Sequence, residues 1–169
     1  TAEPSGTRAA ASSTLIARFM MSSFLLRRAK GQCAAAVAPV GMSVPVGATG
    51  VVWEPETGFA AMQRILTEHP ELTAVICLND RLAFGAYQAI QESDRRIPDD
   101  ISVVSFDDDE VAAYLHPPLT TARIPYLRMG ELAMAMALGV ESGAPELSPG
   151  EPRTVPMPIQ HRGSVGPPR

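Results

Sequence analysis

Two short apolar runs, residues 74–78 and 101–106, each end in a polar cluster, Asn79-Asp80 and Asp107-Asp108-Asp109. Between them the apolar residues change to helical spacing: Leu82, Ala83, Ala86, Ala89 and Ile90 fall on one face, with Arg81, Gln88, Gln91 and Glu92 on the other. This pattern predicts a buried strand, a helix over 81–92 and a second buried strand. A right-handed crossover of that kind makes the two strands parallel neighbours. Ligands of open parallel sheets bind just beyond the carboxyl ends of the strands. Both polar clusters lie at such ends and are the first candidates for function.

The flanking pattern extends the α/β reading. A helix is expected to start at Glu56 or Thr57, bury Phe59, Met62, Ile65 and Leu66, and stop before Pro70. After the second strand, a short helix is expected over 109–115 and is ended by Pro117-Pro118. A strand follows at 120–124, then a helix at 127–140 with Leu127, Gly130, Leu132, Ala133 and Met136 turned inward. Residues 141–153 read as a loop. Residues 155–160 read as a last strand, kept to a sheet edge by Pro156 and Pro158. The first fifty residues are less patterned. Residues 1–13 are small and polar, and are expected to be disordered or a passenger extension. The apolar stretch 14–26 is too short to span a bilayer and is interrupted by Arg18. Its basic residues follow it, the reverse of a secretory signal. A helix near 28–38 is expected next.

Charge sharpens the picture. Residues 51–121 carry thirteen acidic and four basic side chains, which argues against this part touching nucleic acid. Residues 1–50 carry five basic residues without clustering, a weak basis for phosphate binding. Cys33 and Cys77 do not suggest a disulfide framework, and Cys77 within an apolar strand reads as a small core residue of a reducing, cytoplasmic protein. There is no CxxC or HExxH, and His69, His116 and His161 are far apart, so neither a metal site nor a cofactor is expected.

The same residues carry a resemblance. The order TAVICLND followed by A-x-GA, then IPDDISVVSFDD, then PPLTT, is similar to the effector domain of lactose-repressor-type (LacI/GalR) regulators. It continues upstream through VVWEPETGFAAMQRIL and downstream through 123–137 and the closing PMPIQHRGS, covering roughly residues 51–164. The resemblance implies a parallel-sheet, periplasmic-binding-protein-like α/β lobe. It is expected to be incomplete, with the first lobe and the DNA-binding headpiece absent. On this basis residues 1–26 depart from the family, 27–164 form a partial effector-binding domain, and 165–169 are a tail. The helix after Thr121 would pack on the absent lobe, and the last strand would return to this one. The turn after the helix over 81–92 usually holds Gly in the family, because the chain passes through positive φ. Asp94 stands there, one of the few other residues that tolerate it.

Five positions are expected to meet a small-molecule effector. Trp53, the only tryptophan, would stack on a sugar or a nucleobase; its other reading is packing under a loop. Asp107 would accept hydrogen bonds from hydroxyls or ring nitrogens; otherwise it belongs to a solvated acidic turn. Asn79 can donate and accept, while its neighbour Asp80 is expected to cap the following helix. Arg28, within R-A-K-G, matches the family's R-x-x-G, where the Arg forks onto ligand oxygens. Tyr126 falls where some members present an aromatic. Two departures stand out: Ile124, where the family is usually polar, and Ser105, where it usually has Gly. The resemblance implies a ligand-sensing module, dimeric at full length, that reaches DNA only through a headpiece not in this sequence and does not touch membrane. A solute-binding protein of a transport system would share the fold but need a signal peptide. An enzyme is disfavoured by the lack of G-x-S-x-G, a Cys/His pairing or a phosphate-cradling loop.

Overall fold

The computed structural model describes residues 52–139 and 154–167. The expectations for residues 1–26, for the helix near 28–38, for Arg28 and for the loop over 141–153 lie outside them. Chain order is α1 (Pro55–Glu68), β1 (Ala74–Ile76), α2 (Asp80–Glu92), β2 (Ser102–Asp107), a 3₁₀ turn (Glu110–Ala113), β3 (Thr120–Arg123), α3 (Tyr126–Leu138) and β4 (Ile159–Gln160). The four strands form one sheet in the order β1-β2-β3-β4. β1, β2 and β3 are parallel, and β4 is an antiparallel edge on β3. The two prolines before β4 keep it to two paired residues, as their missing N–H groups require.

The helical periodicity of 81–92 holds residue by residue. Leu82, Ala83, Ala86, Ala89 and Ile90 are buried, and Arg81, Gln88, Gln91 and Glu92 are exposed. Met62 and Ile65 of α1 are buried beside them, with Phe59 and Leu66 partly so. Val75 and Val103 from the adjacent centres of β1 and β2 complete the core with Ile101, Leu72 and Leu119. Each such side chain contributes roughly 1.5–3 kcal/mol by leaving water. α1 and α2 approach so closely that a methyl group on Gly85 would overlap Pro55 O, and one on Gly58 would overlap Leu82 O. Small residues at the crossing are what let the two backbones touch.

α2 ends as its sequence implies. Asp94 adopts φ 58°, and the amide of Arg95 returns to Ile90 O at 3.2 Å, closing the helix through a left-handed residue. The inward face of α3 finds no partner among the described residues, as the resemblance implied for a helix that packs on another lobe. None of its residues is buried, and Leu127 and Met136 are exposed although their spacing pointed inward. An apolar stripe predicts only that a helix has a face to bury; the partner surface is set by the rest of the fold. No helix among the described residues is long and apolar enough to cross a membrane.

Candidate functional site

Parallel pairing brings the two polar clusters to one edge. β1 runs out through Cys77, whose amide donates to Val104 O at 2.9 Å, and the chain then turns into α2. β2 runs out at Asp107, which is in register with Arg123 of β3. Trp53 and Tyr126 reach the same edge from α1 and α3. Asn79 Nδ2 donates to Trp53 O at 3.3 Å, and the amide of Ile124, just before Tyr126, donates to Asp107 O at 3.4 Å. The Trp53 and Tyr126 residues are 39% and 64% exposed, so both rings are presented to solvent. Of the five expected site residues, four therefore share this edge; Arg28 lies outside the described residues.

The cap expected at Asp80 falls instead to Asn79. Asn79 is the N-cap: its backbone is extended, at φ −152° and ψ 167°, and its Oδ1 accepts from the amide of Leu82 at 2.9 Å. Asp80 does not cap. It is the first helical residue and is fully buried. Its carboxylate accepts from the Ser105 hydroxyl, from the Thr121 hydroxyl at 2.9 Å and from the Asp109 amide at 2.8 Å. Both residues are good caps by type; the helix begins one residue earlier than the sequence implied, and so the cap moves to Asn79. Three donors satisfy the carboxylate that the shift buries. Ser105, the departure from the family's Gly, is one of them.

The acidic run after β2 divides into three roles. Asp109 Oδ1 caps the 3₁₀ turn through the amide of Val111, at 3.2 Å. Asp108 is an anchor: its side chain is only 5% exposed, 2.6 Å from Arg162 Nη2 and 2.6 Å from Arg123 Nε. Burial pushes its carboxyl up, but the two guanidinium groups outweigh that and hold it below the usual carboxylate range. Asp107 is the third: it is half-buried, with no hydrogen bond or ion pair from its carboxylate among the described residues. Burial, then the charges of Asp80 and Asp109, raise its carboxyl above the ordinary value. Its backbone is at φ 115° and that of Asp108 at φ 59°, a region that L side chains rarely adopt and that concentrates at functional sites.

Sequence reasoning missed Arg123, Arg162, Thr121 and Ser164. Arg162 also donates to Leu119 O at 2.8 Å. The buried Ser164 hydroxyl accepts from the Thr120 amide at 2.7 Å and donates to Val103 O at 2.6 Å. The signal available was the acidic run itself, which needs cations once it is folded against a sheet. Cys77 is buried beneath the same edge, its thiol pushed up to about 12 by burial and then by Asp80, and is inert as the core reading supposed. Among the described residues no group of three or more His, Cys, Asp or Glu is arranged to hold a metal. A cavity of about 720 Å³ runs between α1 and α2 beside Arg64, Thr67 and Arg95, and is not lined by Trp53, Asn79 or Asp107.

A family model described as the periplasmic binding protein-like domain matches residues 23–165. The ribose operon repressor of Haemophilus influenzae is 46% identical over 83 residues, covering 49% of this chain and 25% of that protein. The HTH-type transcriptional repressor PurR of Yersinia pestis is 43% identical over 99 residues, covering 57% of this chain and 29% of that protein. The matches thus span less than a third of these curated relatives. Among solved structures, a LacI family transcriptional regulator from Enterococcus faecalis with bound ribose superposes with a TM-score of 0.70 at 26% identity, covering 92% of this chain and 56% of that one.

Proposed function

This chain belongs to the periplasmic binding protein-like domain family, in the form of the effector-binding domain of lactose-repressor-type regulators, and from that premise we propose that it senses a sugar or nucleobase-like effector for a transcriptional regulator. Its curated relatives are repressors and not enzymes. The effector would sit at the carboxyl edge of the sheet, between this lobe and a second one. Trp53 would stack on its apolar face, and Asp107 would accept hydrogen bonds from vicinal hydroxyls or ring nitrogens. Asn79, which already spends its amide on the helix cap and on Trp53 O, would orient the stacking ring and offer its remaining N–H. Tyr126 would close the aromatic side, and Arg28 would fork onto ligand oxygens.

Closure around the effector would change the angle between lobes and, in a dimer, the spacing of two DNA-binding headpieces, a coupling between distinct sites. Such a regulator works in the cytoplasm. The observation that carries this reading is Asp107: a half-buried carboxylate on a strained backbone, with no partner among the described residues, on the same edge as the exposed Trp53.

The test is thermal unfolding of the purified chain with ribose, other pentoses and hexoses, nucleosides and purine bases. A ligand at one hundred times its Kd stabilises by about 2.7 kcal/mol. A rise in midpoint that disappears in Asp107→Ala and in Trp53→Ala supports the proposal. A ligand-induced rise retained in both variants would place the site elsewhere.

A further inference from the structure

The turn that presents Asp107 is gripped from below. Immediately after Asp107, the amide of Asp108 donates to Thr121 Oγ1 at 3.3 Å and the amide of Asp109 donates to Asp80 Oδ2 at 2.8 Å. Thr121 passes its own hydroxyl hydrogen to Asp80 Oδ1, and Ser105 does the same from β2. One fully buried carboxylate at the start of α2 therefore ties together β2, β3 and the two amides following Asp107. With those amides held, the chain leaves β2 through positive φ at both Asp107 and Asp108, and the Asp107 carboxylate takes no hydrogen bond from the described residues of the network.

We propose that Asp80 is a positioning residue of the effector site, its buried carboxylate holding the turn after β2 in the conformation that presents Asp107 to ligand. This rests on the reading of Asp107 as a ligand contact. The alternative division of labour, in which Asp80 merely stabilises the lobe, would not require its carboxylate to hold the Asp109 amide directly and the Asp108 amide through Thr121. The carboxylate's chemistry suits the task. Three donors need two acceptor oxygens; an amide in its place has one, and its NH₂ group would face a donor. Asp80→Asn therefore leaves the shape of the side chain in place and releases part of the turn. Thr121→Val retains the Asp80 charge and removes the acceptor for the Asp108 amide.

The experiment measures amide exchange and the Asp107 carboxyl titration by NMR on the 169-residue chain, with ribose as the added probe. In Asp80→Asn the Asp109 amide is expected to exchange roughly tenfold faster, while the amide of Val103 in the sheet centre keeps its protection. In Thr121→Val the Asp108 amide is expected to accelerate and the Asp107 midpoint to fall towards the ordinary range, although the Asp80 charge is unchanged. A folded Asp80→Asn variant with wild-type protection at Asp109 overturns the proposal. If that variant does not fold, unchanged Asp108 exchange and an unchanged Asp107 midpoint in Thr121→Val overturn it. Ribose that shifts no Asp107 signal in the wild type counts against ribose at this edge, and the exchange results remain readable on their own.

Discussion

Arg162 and Asp108 stand 54 positions apart in the chain and 2.6 Å apart in the fold. Through this pair, and through Arg123 on the other oxygen, the segment leaving β4 and the end of β3 are fastened to the residue beside Asp107.

Asp108 predicts a pH dependence. Its folded pKa lies below its unfolded value, which is near 3.9 for an aspartate. The stability it contributes is therefore fully present above about pH 4 and is lost as pH falls through the folded value. Asp108→Asn is expected to destabilise the chain by about 1–3 kcal/mol at neutral pH, since it leaves two guanidinium groups without their carboxylate. Urea unfolding at neutral pH and at roughly pH 3 should show the gap between variant and wild type closing in acid. A gap of constant size would contradict the assignment.

Asp107 predicts the opposite trade. A non-glycine residue at positive φ costs about 1–3 kcal/mol, partly offset in a glycine variant by the greater freedom of its unfolded chain. The raised carboxyl adds to this: its favourable contribution is full below the unfolded pKa and is lost as pH rises through the folded one. Asp107→Gly should accordingly raise stability at neutral pH by about 1 kcal/mol while abolishing any ligand-induced shift. A lower unfolding midpoint than wild type would show that the strain reading is wrong.

The crossing of α1 and α2 separates two glycines by their surroundings. Gly85→Ala pushes a methyl group into the α1 backbone and is expected to cost about 2 kcal/mol or more, because backbone cannot move aside as a side chain can. Gly130→Ala, on the open surface of α3 with nothing within 4 Å, should stabilise by about 0.5–1 kcal/mol through helix propensity. Denaturant midpoints of the two variants should move in opposite directions.

Asn79→Ala removes both the cap of α2 and the hydrogen bond to Trp53 O. A loss of about 1 kcal/mol is expected from the cap. Trp53, the only tryptophan, makes the second effect visible, as a change in its emission spectrum in the folded state. An unaltered spectrum with the expected loss of stability would mean that Asn79 acts on the helix alone.

How much was legible in the sequence differs by residue. The faces of α1 and α2 could be read directly, since helical spacing and burial express one local geometry. The parallel order of β1 and β2 followed from a crossover with few alternatives. Asp94 could be placed at positive φ because so few residues accept it. Asn79 and Asp107 could be placed at one edge because strand ends in such sheets converge there, while Trp53 and Tyr126 were placed there by the family resemblance.

Asn79 and Asp80 mark where that legibility stops. Adjacent in sequence and equally suited by type to cap a helix, they were separated only when the path out of β1 put one at the extended position and buried the other under β2 and β3. The three neighbouring aspartates were likewise alike in sequence, and became an unpaired residue, an anchor and a cap only when Arg123, Arg162 and Thr121 arrived from other segments. Periodicity is a property of neighbours along the chain and so was fixed by the sequence alone. Which carboxylate is satisfied and which is left to face solvent depends on donors 15 to 54 residues away, and only the tertiary structure brought those donors within hydrogen-bonding distance.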